Sequence, residues 1–248
     1  MNGPFRARAS ALAKLAELLL FPSFCRLCRE PLDRPGERIV CGDCLGRLEP
    51  RTGPVCGRCG RFLDTAAGEP VCGRCLERDP AYAVHRSCGL YGGTLKDAIL
   101  LFKYRRYAPL GRPLARFADG CLGTDVRLWA GVDAIVPVPL HPARRRERGF
   151  NQSRLLAREL GRLRGLGVLD GVLVKVRNAP AQAGLKAAER EKNVRRAYAA
   201  RRPDRVRGRT LVLVDDVTTT GATLRECARV LVAAGAREVR AITLAQAI

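Results

Sequence analysis

Aromatic side chains make up only 5% of this 248-residue chain, with a single Trp and a single Met. That scarcity argues against a platform of stacked rings of the kind that grips single strands by their bases. Long apolar runs are lacking too. The longest, residues 11–21, is broken by Lys14 and Glu17 and falls short of the ~20 residues a membrane-spanning helix needs. No small-x-small cleavage site follows it, so a secretory leader fits poorly. Leu12, Leu15 and Leu19 recur at helical spacing and predict an amphipathic helix over residues 1–21 that packs on the body of the protein. The compartment expected from this is the cytoplasm, where thiols stay reduced. Lysine is sparse, supplying six of the 45 basic residues, so the positive charge is carried by Arg, which suits bidentate phosphate contacts. The Gly-x4-Gly-Lys of a nucleoside-triphosphate loop is missing, which removes that class of enzyme.

What is present is unevenly placed. Residues 1–80 carry 13 basic and 10 acidic side chains, net +3, whereas residues 81–248 carry 32 and 14, net +18. Eight of the eleven cysteines lie between Cys25 and Cys75. The two features divide the chain into an N-terminal helix (1–21), a cysteine segment (22–80) and a strongly basic C-terminal domain (81–248).

The cysteines form four Cys-x2-Cys knuckles: Cys25/Cys28, Cys41/Cys44, Cys56/Cys59 and Cys72/Cys75. Twelve, eleven and twelve residues separate successive knuckles, so one pattern occurs twice. A two-residue spacer lets a tight turn aim both sulfurs at one ion, and two knuckles a dozen residues apart match a zinc ribbon. A closed shell of four thiolates leaves no position for catalysis, so about two structural Zn²⁺ ions are expected. The segment needs them, because residues 24–79 hold only two aromatics, Phe24 and Phe62. Sequential pairing of the knuckles is simplest, and crossed pairing stays open. A thioredoxin-like redox role is the minor reading, since the knuckles lie outside any βαβ pattern. Cys88, Cys121 and Cys227 read as small buried side chains. Neither His85 nor His141 shows a clear partner in sequence, though His141 lies near a basic run and is a candidate ligand contact. Trp129 reads as packing.

From residue 81 onward short aliphatic strands alternate with helices. Strands are expected at Val84–Tyr91, Ala134–Val138, Val172–Val176, Thr210–Val214 and Glu238–Leu244, and helices at Thr94–Tyr104, Gln152–Leu163 and Gly221–Ala234. That alternation predicts an α/β fold, a parallel sheet flanked by helices, with ligands at the carboxyl ends of its strands. One such end stands out. The run Leu211-Val-Leu-Val214 is followed by Asp215 and Asp216, then Val217, Thr218, Thr219, Thr220, Gly221, Ala222 and Thr223. Two carboxylates at a strand tip suit hydroxyl groups, and a small hydroxyl-rich loop entering a helix suits a phosphate.

This run resembles the 5-phosphoribosyl-1-diphosphate (PRPP) motif of type I phosphoribosyltransferases. The resemblance implies that Asp215 and Asp216 grip the ribose 2′- and 3′-hydroxyls as the catalytic acids, and that residues 217–223 hold the 5′-phosphate. Pro139 and Leu140, followed by Arg144, Arg145, Arg146 and Arg148, occupy the place of that family's diphosphate loop. Gln182, Leu185, Arg190 and Asn193 fall in a long polar stretch of the kind that forms lids. With the doubled four-cysteine segment, Phe102-Lys103-Tyr104 and Arg148-Gly-Phe-Asn151-Gln152, these motifs occur in the order seen in the ComF family, which includes ComFC-like and GntX-like proteins. Ala183 departs from it, for the family often has Thr there. Membership implies Mg²⁺-dependent PRPP binding by a type I phosphoribosyltransferase fold behind a zinc-ribbon domain, with phosphoribosyl transfer to a nitrogen acceptor that the residues do not identify. The alternative it implies is a competence protein handling single-stranded DNA, with the PRPP site as a ligand or regulatory site. Tyr104, Tyr107 and Phe150, interleaved with Arg105, Arg106 and Arg148, are the residues available for stacking. Oligomeric state is not legible.

Overall fold

The computed structural model describes residues 23–32, 39–63, 71–104, 107–177 and 194–247. The N-terminal helix expected over 1–21 and the expected lid residues Gln182, Leu185, Arg190 and Asn193 lie outside the described residues, as do Arg105 and Arg106. The chain groups into two compact units, Met1–Leu48 and Glu49–Ile248. The smaller holds the first two knuckles and a short helix, α1 (Gly42–Gly46), whose start is capped by the Cys41 thiol accepting from the Cys44 N–H.

In the larger unit the elements run α2 (Gly73–Glu77), β1 (His85–Leu90), α3 (Gly93–Tyr104), α4 (Gly111–Leu122), α5 (Val126–Trp129), β2 (Ala134–Pro137), α6 (Pro142–Arg148), α7 (Gln152–Arg164), β3 (Gly167–Val168), β4 (Leu173–Lys175), β5 (Tyr198–Ala200), β6 (Thr210–Thr218), α8 (Ala222–Ala233) and β7 (Glu238–Gln246). Five strands form one all-parallel sheet in the order β1-β7-β6-β2-β3. Alternate strand residues face opposite ways. Ala134, Val136, Leu211, Leu213, Val239 and Ala241 pack with Leu224, Cys227, Ala228 and Leu231 of α8. Ile135, Val212, Val214 and Ile242 are equally buried and point to the other face, where α7 lies against β2 and β6 and α4 against α7. The expected parallel α/β sheet is therefore present.

Three expectations change. The strand expected at Val172–Val176 forms, but outside the main sheet: β4 pairs antiparallel with β5 as a separate two-stranded sheet. β6 runs on to Thr218 instead of ending at Val214, because β7 continues beside it and pairs with Asp215, Val217 and Thr218. The basic run after β2 is a helix rather than a loop over its second half. His141 caps it by accepting the Ala143 N–H, Pro142 fits its first turn, and Gly149 closes it at φ +82°.

The strand order reverses direction between β2 and β6. The connection from β2 leads outward to β3, and that from β6 leads the other way to β7. Such a switch point opens a crevice at the strands' carboxyl ends. β2 stops opposite Val214, while β6 carries on. Asp215 and Asp216 thus project where one neighbour has ended.

Candidate functional site

The two carboxylates are held differently. Ser153, in the first turn of α7, donates its hydroxyl to Asp215 Oδ1 at 2.8 Å, and the Asp216 N–H reaches the same oxygen at 2.9 Å. Burial, and then the Asp216 charge beside it, push the Asp215 carboxyl up to about 7, against the pull of those two donors and of Lys103. Asp216 is buried and pairs with Lys103 Nζ at 2.9 Å. Burial alone lowers the Lys103 ammonium's proton affinity, but the Asp216 carboxylate more than offsets it and raises the net value.

Past the acids the chain turns through Thr219 and Thr220 to Gly221, whose φ of +74° is the left-handed conformation glycine takes without strain. Thr220 Oγ1 accepts from Ala222 N–H at 3.4 Å, and Arg225 in the first turn of α8 donates to Thr220 O at 2.7 Å. A Cβ on Gly221 would lie 3.6 Å from the Tyr82 hydroxyl oxygen, so Tyr82 lines the back of the loop. Thr223 lies beside the Tyr198 side chain, where α8 packs against β5. Small residues, loop N–H groups and a helix start lie a few residues from the acid pair; N–H donors of this kind suit a phosphate, and carboxylates suit hydroxyl groups.

Asn151 and Gln152 connect the remaining motifs. Asn151 caps α7 by accepting from Ser153 N–H at 3.1 Å and donates to Val138 O at 3.0 Å, which fixes the chain after β2. The fully buried Gln152 amide donates to the carbonyls of Phe102 and Lys103, both at 3.4 Å, and its oxygen accepts from Arg148 Nη1. Arg148 also lies 5.2 Å above the exposed Tyr104 ring. Arg144 pairs with Glu147 at 2.7 Å, while Arg145 and Arg146 flank a shallow open depression with Pro142 and Gly149. Pro139 and Leu140 link β2 to this helix.

Each half of the cysteine segment forms its own cluster. Cys25, Cys28, Cys41 and Cys44 bring their sulfurs within 4.8 Å of one another, and so do Cys56, Cys59, Cys72 and Cys75, which selects sequential pairing over crossed. The Cys25–Cys44, Cys28–Cys41 and Cys59–Cys72 sulfurs are 3.9, 3.6 and 3.6 Å apart. A tetrahedral ion with Zn–S bonds of about 2.3 Å requires sulfur separations of roughly 3.8 Å, so the donor set fits zinc. Burial raises the Cys25 and Cys56 thiols, but backbone N–H donors outweigh it and bring them down to about 6 and about 7. Each cluster thus holds one thiol already inclined to the thiolate form that a metal needs.

A family model for a double zinc ribbon domain matches residues 17–76, and one for a phosphoribosyl transferase domain matches residues 147–248. Competence protein F of Haemophilus influenzae is 32% identical over 84% of this chain and 90% of its own length. DNA utilization protein YhgH of Escherichia coli K12 is 32% identical over 90% of this chain and 96% of its own. Competence protein ComFC of Bacillus subtilis is 29% identical over 85% of each. The chain belongs to the ComF family.

In this ComF-family chain the second cysteine cluster lies in the same compact unit as the sheet. The fully buried His85 of β1 donates from Nδ1 to Cys59 O at 2.7 Å, since a carbonyl only accepts, and Nε2 then accepts from the Thr243 hydroxyl of β7 at 3.1 Å. Burial holds His85 neutral by lowering it to about 4. His85 N–H donates to Arg58 O, while Arg86 and Arg127 both donate to Gly57 O. His85 therefore has two partners that the sequence did not reveal, 26 and 158 residues away. His141 caps α6, and Phe150 leans on the buried Phe102 with ring centroids 5.5 Å apart. Trp129 packs as expected, donating to Leu122 O beneath Arg164. Cys88 and Cys227 are buried as expected, whereas Cys121 is only half-buried. Sequence reasoning missed Ser153, Arg225 and Tyr82. Ser153, directly after Gln152, and Arg225, in the first turn after the Thr/Gly loop, carried a positional signal; Tyr82 carried none.

Proposed function

We propose that the Glu49–Ile248 unit binds PRPP together with Mg²⁺ and transfers its phosphoribosyl group to a nitrogen nucleophile. The observation that carries this is the juxtaposition, at the sheet's switch point, of the Asp215–Asp216 pair with the Thr218–Thr223 loop. The acids accept hydrogen bonds from the ribose 2′- and 3′-hydroxyls, and the loop's N–H and Thr hydroxyl groups donate to the 5′-phosphate. Mg²⁺ bound along with the ligand would offset the charge of its diphosphate. The nitrogen lone pair forms the new bond at C1 as the C1–O bond breaks, the electron pair leaves with diphosphate, and the nitrogen sheds its proton to solvent water. Charge develops on the ring and on the departing oxygen, so the protein's contribution is positioning and electrostatic complementarity, with the Arg residues of α6 available to the leaving diphosphate. Calorimetric titration with PRPP should show one site per chain that needs Mg²⁺. A flat titration overturns this reading. A screen for diphosphate release against nitrogen-containing acceptors then identifies the second substrate.

A second reading has its own support. Among relatives named for competence and for DNA utilization, this chain places net +18 in residues 81–248 and three Arg in succession on the outward-facing α6. In this reading the protein acts in natural transformation, binding incoming single-stranded DNA in the cytoplasm. Single-stranded DNA affinity should then fall steeply with salt. Neutralising Arg144, Arg145, Arg146 and Arg148 together should weaken it at least tenfold in a fluorescence-anisotropy titration. Unchanged affinity removes α6 from the DNA surface.

A further inference from the structure

Lys103 and Gln152 were singled out by sequence without a role, and the structure joins them. The last turn of α3 is fastened to the first turn of α7 by the Gln152 amide, which holds the carbonyls of Phe102 and Lys103. That attachment aims the Lys103 side chain, with only 15% of its surface exposed, at the buried Asp216 carboxylate 2.9 Å away. We propose that Lys103 is a positioning residue of the acid pair: its ammonium fixes the Asp216 carboxylate and balances the charge of two adjacent acids, so that both face a ribose diol as acceptors. The consequence for ligand rests on the PRPP reading, while the hold on the acids does not.

Two carboxylates on consecutive residues resist joint ionisation, and a fixed cation is what relieves that resistance. Around Asp215 stand Asp216, Lys103 from α3, Ser153 from α7, Lys175 from β4, Tyr198 from β5 and Cys227 from α8; around Lys103 stand both acids, Arg148 and Tyr91. Of the two lysines, Lys103 makes the direct ion pair to the acids, whereas Lys175 lies over the Tyr198 ring at 5.5 Å. Asp216 keeps a second oxygen for a ligand hydroxyl, and Lys103 keeps two N–H donors that can turn to ligand oxygens once a diol arrives.

The test uses carboxyl-carbon NMR on the ligand-free full chain. Asp215 should titrate near neutrality in the wild type. Lys103→Met should raise its proton affinity at least threefold, and Lys103→Arg should hold it near the wild-type value. Lys103→Gln carries the same expectation as Lys103→Met should the latter fail to fold. An unmoved Asp215 titration overturns the proposal. In calorimetry with PRPP and Mg²⁺, Lys103→Met should bind about tenfold more weakly at pH 7 and recover as pH rises. In an Asp216→Asn background Lys103→Met should add no further loss, and a full additional loss would show that Lys103 does not act through Asp216. If the wild type binds no PRPP, the ligand reading fails, and the Asp215 titration still decides the role of Lys103.

Discussion

Asp215→Asn should weaken PRPP binding roughly ten- to a hundredfold and at the same time make the protein more stable at pH 8. The two effects share one cause. An acid that accepts from a ribose hydroxyl makes a charge-assisted hydrogen bond worth about 1.5–3 kcal/mol, so its loss costs ten- to a hundredfold in affinity, and more where the neighbouring acid is disturbed as well. The same carboxyl is densely surrounded and sits beside Asp216, so its folded value of about 7 lies above the ordinary 3.8. The folded protein therefore retains a proton that the unfolded chain releases. Stability present below pH 4 is lost as pH rises to about 7, to the extent of a few kcal/mol at most. Asparagine removes the charge and keeps the acceptor for Ser153 and for the Asp216 N–H. Calorimetric unfolding should show Asp215→Asn melting several degrees above wild type at pH 8 and level with it at pH 4. An equal or lower melting temperature at pH 8 contradicts the burial argument, and retained PRPP affinity contradicts the acid's assigned role. Asp216→Ala should behave oppositely in stability, because it strands the Lys103 ammonium without its 2.9 Å partner.

The second large effect concerns the metal. Metal analysis should find two Zn²⁺ per chain, and Cys28→Ser or Cys59→Ser should each lower that number by one. Their consequences for the sheet should differ. The Cys56–Cys75 cluster orders the carbonyls of Gly57, Arg58 and Cys59, which receive four hydrogen bonds from His85 and Arg86 of β1 and Arg127 of α5. At about 1 kcal/mol each, their loss amounts to roughly 4 kcal/mol, or on the order of 10 °C for a unit of this size. Cys28→Ser should leave the main calorimetric transition in place, whereas Cys59→Ser should lower it by about that amount. Equal shifts for the two variants reject the asymmetry. The repeat that looks symmetric in sequence is thus asymmetric in what it supports.

The buried strands were legible because Leu211–Val214 and Ala134–Val138 are aliphatic runs of strand length, and their helices followed from spacing. The acids and their loop were legible because function there departs from local propensity: adjacent carboxylates end an apolar strand. The metal-binding character of the cysteine knuckles was legible from spacing, but their sequential pairing was not. Other features depend on distant partners. β6 gains four residues only because β7 lies alongside. β5, three residues of Tyr-Ala-Ala, has no alternation to announce it and forms by pairing with β4. α6, expected as a diphosphate loop, begins on a histidine cap in place of the usual Ser, Thr, Asp or Asn, so its helical start gave no sequence signal. His85 and Lys103 were visible as residues, but their roles lie in contacts that span up to 158 residues.

The placement of β7 has a consequence for how the chain assembles. It lies between β1 and β6, pairs with both, and supplies Thr243 to His85 and Gln246 to the N–H of Phe62. Among the five strands of this sheet it is the last in chain order, and so the last of them to leave the ribosome. Until residues 238–246 emerge, β1 with its cysteine cluster and β6 with its acid pair have no strand to join them. The nascent chain thus carries two half-sheets with open inner edges until the last of these five strands is made.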